Sequence, residues 1–250
     1  NVKEFGAIGN GVADDTTAIQ AALNGPGTNN GGVFFPPGTY RITAALTITN
    51  PLVIRGAGDT SIIRQDSTTL DAFQVNTTSQ VIFEHLQIQQ AALATAGAGI
   101  LVAGSGGVQS SRTRILSVTF QNNWITISVT GGAQFQIDNV HILGTRGRGI
   151  SLTDSLSTDS GISNSFLNTG EAGATAGIYV TGAPGLRIIG NKILGFQQGI
   201  HCFVSVNTST FTIVGNSIEN QITNCIVFEQ GVAGRTLGSV VVAGNEIANT

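Results

Sequence analysis

The sequence is poor in charge and in sulfur. It contains no methionine, two cysteines and one tryptophan, and charged residues make up 10% of its 250 residues, whereas about 25% is usual in a globular domain. No apolar run reaches the roughly 18 residues of a membrane-spanning helix. The net charge is −3, with 11 basic and 14 acidic residues and no basic stripe. These absences argue against a membrane span and against nucleic acid as a partner.

The two cysteines lie about one repeat apart, at Cys202 and Cys225. Strand alternation predicts that Cys202 points inward and Cys225 outward, which disfavours a bridge between them. We therefore expect two free thiols, with a disulfide as the alternative. No spacing of His, Cys, Asp or Glu matches a metal site, so we expect neither a metal nor another cofactor. Because the first residue is Asn1, we expect a mature product or an excised fragment.

The chain is rich in the residues of strands and turns. It has 34 glycines together with many Thr, Ser, Asn and β-branched residues. A unit of about 25 residues recurs from residue 70 onward. The first isoleucine column comprises Ile100, Ile125, Ile150, Ile178, Ile200 and Ile226. The second apolar column comprises Ile88, Phe120, Ile142, Leu167, Ile193, Ile218 and Ile247.

Two interleaved columns with one period predict stacked copies of one unit. The predicted fold is all-β: a single-stranded parallel β-helix, a solenoid in which successive coils lie about 4.8 Å apart. We interpret residues 1–250 as one domain, with a cap and first strands in residues 1–50 and six or seven recognisable coils in residues 51–250. Within the cap, Val2–Phe5 is predicted as a strand. Residues 15–24 are predicted as a short helix that covers the first rung.

Asparagine replaces apolar residues in the last coils, two residues before the second column. The positions are Leu86, Val118, Val140, Ser165, Asn191, Asn216 and Asn245. Inward-facing Asn side chains repeated in successive coils can hydrogen-bond to their copies above and below. We predict a buried ladder of Asn191, Asn216 and Asn245; a polar binding row is the alternative.

Two N-terminal stretches carry a family resemblance. They read NVKEFGAIGNGVADDTTAIQAA at residues 1–22 and GGVFFPPGTY at residues 31–40. Together they resemble signatures of the pectate-lyase-like superfamily, which includes phage tailspikes, capsule depolymerases, polygalacturonases, glucanases and alginate epimerases. The resemblance implies a right-handed β-helix, a polysaccharide partner and an extracellular or virion-associated location. It also makes a homotrimer an option, as in tailspikes. The motif builds the cap and fixes no reaction, and the catalytic signatures of polygalacturonases, alginate epimerases and calcium-dependent pectate lyases are absent.

The repeat predicts which residues face outward. If the first column points inward, the residues that follow it point outward: Leu101, Thr126, Ser151, Tyr179, His201 and Val227. Two residues further on lie Ala103, Ser128, Thr153, Thr181, Phe203 and Glu229. We expect Tyr179, His201 and Phe203 to form a glycan-binding face, because sugars present C–H faces to aromatic rings. Trp124 is either a further sugar platform or a wedge between coils.

Acidic residues near this face are the candidates for hydrolysis. Asp154, Glu171 and Glu229 are the candidate catalytic carboxylates, and solvated loop acids are the alternative. Glycoside hydrolysis needs two such groups, about 5–5.5 Å or 6.5–9.5 Å apart.

A lyase needs a base and a charge stabiliser instead. His201 or Tyr179 could act as the base, and Arg146 or Arg148 could bind an anionic sugar. The two arginines could otherwise form a solvated turn, and His201 could be a surface residue without chemistry.

Two functional hypotheses follow. The first is a β-helix that binds and cleaves a polysaccharide, as a glycoside hydrolase or a lyase of the tailspike or depolymerase type. The second is a non-enzymatic structural or adhesive β-helix of a phage tail, surface layer or filament.

Overall fold

The chain winds into a parallel β-helix. The computed structural model describes residues 1–25, 31–76, 80–104, 110–153, 159–182, 184–204, 208–231, 233–234 and 236–248. Every strand pair in these residues is parallel, and each strand pairs with strands of the neighbouring coils. The predicted fold class is thereby confirmed. Among the described residues eight strands stack along one face, so the helix has about eight turns. Seven of these strands lie in residues 51–250, within the six or seven coils predicted there.

Each complete coil contributes a strand to each of three faces. Face 1 consists of Gly31–Phe35, Leu52–Gly56, Gln136–Asp138, Gly161–Ser163, Leu186–Ile189, Thr208–Val214 and Leu237–Ala243. Face 2 consists of Asn10–Asp14, Gly38–Ile42, Ser61–Gln65, His141–Leu143, Phe166–Asn168, Lys192–Leu194, Ser217–Glu219 and Glu246–Ala248. Two long strands, Val81–Gln90 and Arg114–Gln121, run through both faces.

Face 3 is a separate eight-stranded sheet. It consists of Leu46–Ile48, Phe73–Asn76, Ala98–Ala103, Ile125–Val129, Arg148–Leu152, Ala176–Val180, Gln198–Val204 and Asn224–Gln230. Ser110–Ser111 and Gly132–Ala133 add a small two-stranded sheet. Inside the coils, the apolar columns form one continuous core that extends from Val2 to Ile218. A fully buried Ile in such a column contributes roughly 1.5–3 kcal/mol.

A helix closes the N-terminal end. Helix α1 spans Thr16–Asn24, within one residue of the prediction, and buries Ile19, Ala22 and Leu23. The side-chain amide of Gln20 donates to the Thr47 carbonyl and accepts from the Thr47 N–H, both at 2.9 Å. Gln20 thus occupies hydrogen-bonding groups of the first strand of face 3, which would otherwise be open to pairing with another chain.

The turn before α1 differs from the prediction. Val2–Phe5 is a 3₁₀-helix rather than a strand. The Asn1 side chain accepts from the Lys3 N–H, and Gly6 ends the turn in the left-handed conformation. The Asp15 carboxylate, 1% exposed, accepts from the N–H groups of Ile8 and Gly9, while Asp14 accepts from the Thr16 N–H at the helix start. Hydrogen bonds from Thr16 and Thr43 lower the pKa of Asp14.

One sharp corner between faces 1 and 2 recurs in seven coils. The corner residues have φ between 51° and 68°: His85, Ser117, Asn139, Asn164, Gly190, Gly215 and Gly244. This left-handed conformation bends the chain from one face to the next at a single residue. The second apolar column follows the corner in each of these coils, and all its members pair in the predicted register.

The asparagine ladder begins directly after this corner. Asn191 and Asn216 are each 1% exposed. The Oδ1 atom of Asn216 accepts from the backbone N–H and the Nδ2 group of Asn191, both at 3.0 Å. Asn245 Oδ1 accepts in the same way from Asn216, both at 2.9 Å. The predicted ladder is confirmed, although Asn245, on the last coil, is only half-buried.

Candidate functional site

The register of face 3 corrects one coil of the prediction. Ile127, not Ile125, pairs with Ile100 and Ile150, so the first column continues through Ile127. Ser128 therefore takes the outward position that the sequence assigned to Thr126. Thr126 is fully buried and bonds to Thr145 through the two hydroxyls. The other column residues, from Ile150 to Ile226, pair as predicted.

A Cβ on the residue before each column isoleucine does not point towards solvent. A Cβ on Gly177 would lie 2.5 Å from Ile193 Cγ2 and 2.8 Å from the Gly199 carbonyl oxygen. These positions therefore point at the core and at the next coil, and glycine fits there because it has no side chain. Cys225 occupies the same position and packs partly against the core, which corrects its predicted outward direction.

Both cysteines are thiols, as predicted. Cys202 is buried, and this burial raises the pKa of its thiol to about 12. Burial also raises the pKa of Cys225, which is partly exposed. The Cys202 side chain is therefore a protonated core residue at neutral pH.

Three rings meet on face 3, on two adjacent coils. Tyr179 and His201 are paired residues of neighbouring strands. Their ring centroids lie 5.2 Å apart with an interplanar angle of 85°. The rings of His201 and Phe203 lie 6.4 Å apart at 81°. Edge-to-face contacts of this kind contribute about 0.5–1.5 kcal/mol each, so they favour this relative orientation of the three rings.

Charged groups lie on both sides of these rings. The guanidinium carbon of Arg148 lies 3.4 Å from the centroid of the Tyr179 ring, a cation–π contact. Arg148 Nη1 also donates to Ser151 Oγ at 3.3 Å. On the other side, Glu229 Oε2 lies 2.9 Å from His201 Nε2. The order across the coils is therefore cation, phenol, imidazole, carboxylate.

These side chains line a shallow depression of about 340 Å³. Its described lining is Arg148, Thr175, Ala176, Tyr179, Gln197, Gln198, His201, Phe203 and Glu229. Gln197 and Gln198 were not singled out from the sequence. Their alignment with Thr175 and Ala176 of the preceding coil is the signal that places them at this rim. The depression thus combines aromatic rings, two side-chain amides and one charge of each sign.

Three other predicted site residues lie outside the described lining of the depression. Trp124 is half-buried, and a Cβ added at Gly147 on the next coil would lie 3.1 Å from its indole ring. Arg146 belongs to the same turn and, like Glu171 in the loop before Tyr179, lies outside the described lining of the depression. Asp154 lies outside the described residues.

Two further titratable residues have structural partners. Asp138 accepts from the Ser163 hydroxyl and the Asn164 amide. His141 contacts the Phe166 ring at 6.2 Å. Asp138 and His141 therefore each contact a residue of the next coil. Within the described ranges, no three His, Cys, Asp or Glu side chains converge as metal ligands, and no helix is long and apolar enough to cross a membrane.

Known proteins resemble the chain in sequence over part of its length. Mannuronan C5-epimerase AlgE6 of Azotobacter vinelandii is 47% identical over 66 residues, which are 23% of this chain and 8% of the epimerase. The chain therefore corresponds to a small part of that relative.

Solved structures resemble it over its whole length. The catalytic unit of a GH87 α-1,3-glucanase from Streptomyces thermodiastaticus superposes with a TM-score of 0.75 at 20% identity, covering 99% of this chain and 46% of the glucanase chain. PfbA, a surface adhesin of Streptococcus pneumoniae, superposes with a TM-score of 0.72 at 17% identity, covering 100% of this chain and 80% of the adhesin. At these identities the likeness establishes the fold.

A family model decides the relationship. The model for rhamnogalacturonase A/epimerase, pectate lyase-like proteins matches residues 1–231, which is nearly the whole chain. The chain therefore belongs to the rhamnogalacturonase A/epimerase, pectate lyase-like family of polysaccharide-active β-helix proteins.

Proposed function

We propose that the protein binds an acidic polysaccharide across face 3 and cleaves it by β-elimination in the depression at His201. The observation that carries this proposal is the 2.9 Å contact between His201 and Glu229, beside the Tyr179 ring that Arg148 covers. The family membership supports a polysaccharide as the ligand.

His201 is the proposed base. When neutral, an imidazole that donates from Nε2 leaves Nδ1 as an acceptor. Glu229, as the acceptor for Nε2, favours that tautomer. In β-elimination, the base removes the proton next to the sugar carboxylate, the electron pair forms a carbon–carbon double bond, and the glycosidic C–O bond breaks. The leaving oxygen then takes a proton.

Arg148 is the proposed charge stabiliser. A guanidinium binds a carboxylate through two parallel hydrogen bonds, and negative charge on the sugar carboxylate grows as the neighbouring proton leaves. The ring face of Tyr179 holds Arg148 one coil before Tyr179, and His201 lies one coil after Tyr179. Its phenol oxygen is a proton donor for the leaving group.

Hydrolysis is less well supported by this set of side chains. Glycoside hydrolysis needs two carboxyl groups. Among the described lining residues Glu229 is the carboxylate, and it is already bound to His201. Elimination needs one base and one cation, and the lining contains His201 and Arg148 for these two roles.

A non-enzymatic polysaccharide-binding function is the second candidate. Two observations favour it: the depression, about 340 Å³, is shallow, and Arg148 is already engaged with Tyr179 and Ser151. The likeness to the adhesin PfbA is consistent with it. On this alternative the aromatic face holds a sugar chain without turnover.

The lyase proposal is tested by incubating the parent protein with polygalacturonate, alginate or neutral dextran. The ultraviolet absorbance of the unsaturated product is recorded over time. We expect product from an acidic polysaccharide. His201→Ala should lower kcat by about 100-fold or more with binding retained, whereas Tyr179→Ala should weaken binding as well. His141→Ala is the matched control, because His141 also contacts a ring but lies on face 2. Binding by the parent without any unsaturated product would refute the lyase and support the second candidate.

A further inference from the structure

A second groove lies on face 1, away from the depression on face 3. Two hollows, of about 460 Å³ and about 420 Å³, share Arg114 in their linings and so adjoin along the stack. The first also contains Gln136, Gly161 and Arg187, and the second contains Arg112. We call this combined surface the arginine groove, defined by Arg112, Arg114, Gln136, Gly161 and Arg187.

The strand register sets the floor of the arginine groove. Arg114, Gln136, Gly161 and Arg187 are successive paired residues on neighbouring coils. At about 4.8 Å per coil, Arg114 and Arg187 stand on the order of 14 Å apart. A Cβ added at Gly161 would meet nothing within 4 Å. The missing side chain of Gly161 therefore leaves a notch between Gln136 and Arg187.

The arginine groove concentrates positive charge in a chain whose net charge is −3. Its hollows contain three guanidinium groups against one described carboxylate, that of Asp159. Arg112 donates to Gln134 Oε1 at 3.3 Å. Within the described part of the chain, the ion pairs involve Arg41, Arg55, Arg64, Lys192, His201 and the N-terminus. Within the described residues, Arg112, Arg114 and Arg187 therefore form no ion pair.

We infer that the arginine groove binds a linear carboxylated polysaccharide along the stack axis. An extended pyranose chain advances by about one coil spacing per sugar, so its units can follow the coils one by one. Arg114 and Arg187 would each bind a carboxylate in bidentate fashion. The notch at Gly161 and the amide of Gln136 would take the ring and hydroxyls between them. This site is independent of the proposed elimination at His201.

A polysaccharide fits this groove better than a single-stranded nucleic acid. Nucleic acid binding without base readout relies on aromatic platforms for stacking. The one aromatic residue of the described lining is Phe135, which is 3% exposed and therefore unavailable for stacking.

The test is binding of a size-defined oligogalacturonate, measured by calorimetry at low and high salt. Arg114→Ala/Arg187→Ala should weaken binding by at least about tenfold and reduce its salt dependence. Gly161→Gln fills the notch without removing charge and should also weaken binding. Arg55→Ala is the matched control, because Arg55 is an exposed arginine of the same face that pairs with Glu84 outside the groove.

Two comparisons separate the alternatives. A neutral maltooligosaccharide of the same length should not bind at this groove, and Tyr179→Ala should leave the arginine-dependent part of oligogalacturonate binding unchanged. Equal affinity of the parent and the double variant would overturn the inference. So would tighter, arginine-dependent binding of a single-stranded DNA oligonucleotide, which would assign the groove to nucleic acid. Thermal melts establish that each variant is folded.

Discussion

Replacing Asn216 by leucine removes the centre of the asparagine ladder with little change in side-chain size. In the parent, Asn216 Oδ1 accepts from the Asn191 N–H at 3.0 Å and Nδ2 donates to the Ile188 carbonyl at 2.9 Å. Leucine can do neither, so two backbone groups inside the coil lose these partners. At about 1–3 kcal/mol for each unsatisfied buried group, the free energy of unfolding should fall by about 2–6 kcal/mol.

Two variants at the ladder serve as controls. Asn245→Leu should cost less, because Asn245 is half-buried on the last coil and water can replace its amide. Asn216→Ser should lie between leucine and the parent. Ser165 occupies the same column naturally, and its Oγ accepts from the Val140 N–H at 3.2 Å. A serine at 216 therefore keeps the acceptor for the preceding coil and loses the donor to Ile188.

These differences in stability are measured by urea unfolding. Circular dichroism and the fluorescence of Trp124, the one tryptophan, monitor the transition. The reasoning requires the order leucine, serine, parent in rising stability. If Asn216→Leu stays within about 0.5 kcal/mol of the parent, as surface substitutions usually do, the ladder does not stabilise the stack. If Asn245→Leu is as destabilising as Asn216→Leu, burial does not set the cost of losing a ladder amide.

Two further predictions test the packing of face 3. Gly177→Ala should destabilise by about 1–3 kcal/mol through overpacking, because its Cβ would lie 2.5 Å from Ile193 Cγ2, whereas Gly32→Ala, whose Cβ has its nearest neighbour at 3.8 Å, should melt near the parent temperature. Iodoacetamide at pH 8 should label Cys225 slowly and Cys202 only after unfolding, since burial raises the Cys202 pKa to about 12. Between the unfolded thiol pKa of about 8.5 and pH 12, only the unfolded chain loses the Cys202 proton. The contribution of Cys202 to the free energy of unfolding is therefore complete below about pH 8.5 and declines as the pH rises towards 12. Rapid labelling of native Cys202 would contradict that burial.

The apolar columns are predicted well from the sequence. Two errors, at Ile125 and at Val2–Phe5, have physical causes. The second column is correct at every member because each coil has one short corner before it. Ile125 and Ile127 have the same strand parity, so periodicity alone cannot decide which of them pairs with Ile100. The turn at Trp124 decides it, through its bonds to the next coil. Val2–Phe5 is too short for alternation to matter, and its caps set its conformation.

The candidate site is predictable in part. Correct register brings Tyr179 and His201 together on neighbouring strands. The stacking of Arg148 on Tyr179 depends on the reach of a long side chain, which spacing does not specify. The arginine groove was not visible in the sequence, because Arg114 and Arg187 are far apart along the chain. Coil stacking brings them to one surface.

The recurring left-handed corner offers a built-in series for protein engineering. Its last three members are glycines, whereas earlier coils place His85 and Ser117 at the same backbone conformation. A non-glycine residue costs roughly 1–2 kcal/mol there, which glycine avoids. The Ser117 hydroxyl repays part of that cost by accepting from the Asn139 amide. His85 is exposed. Its replacement by glycine is therefore the first substitution to make at this corner when a higher melting temperature of the scaffold is wanted.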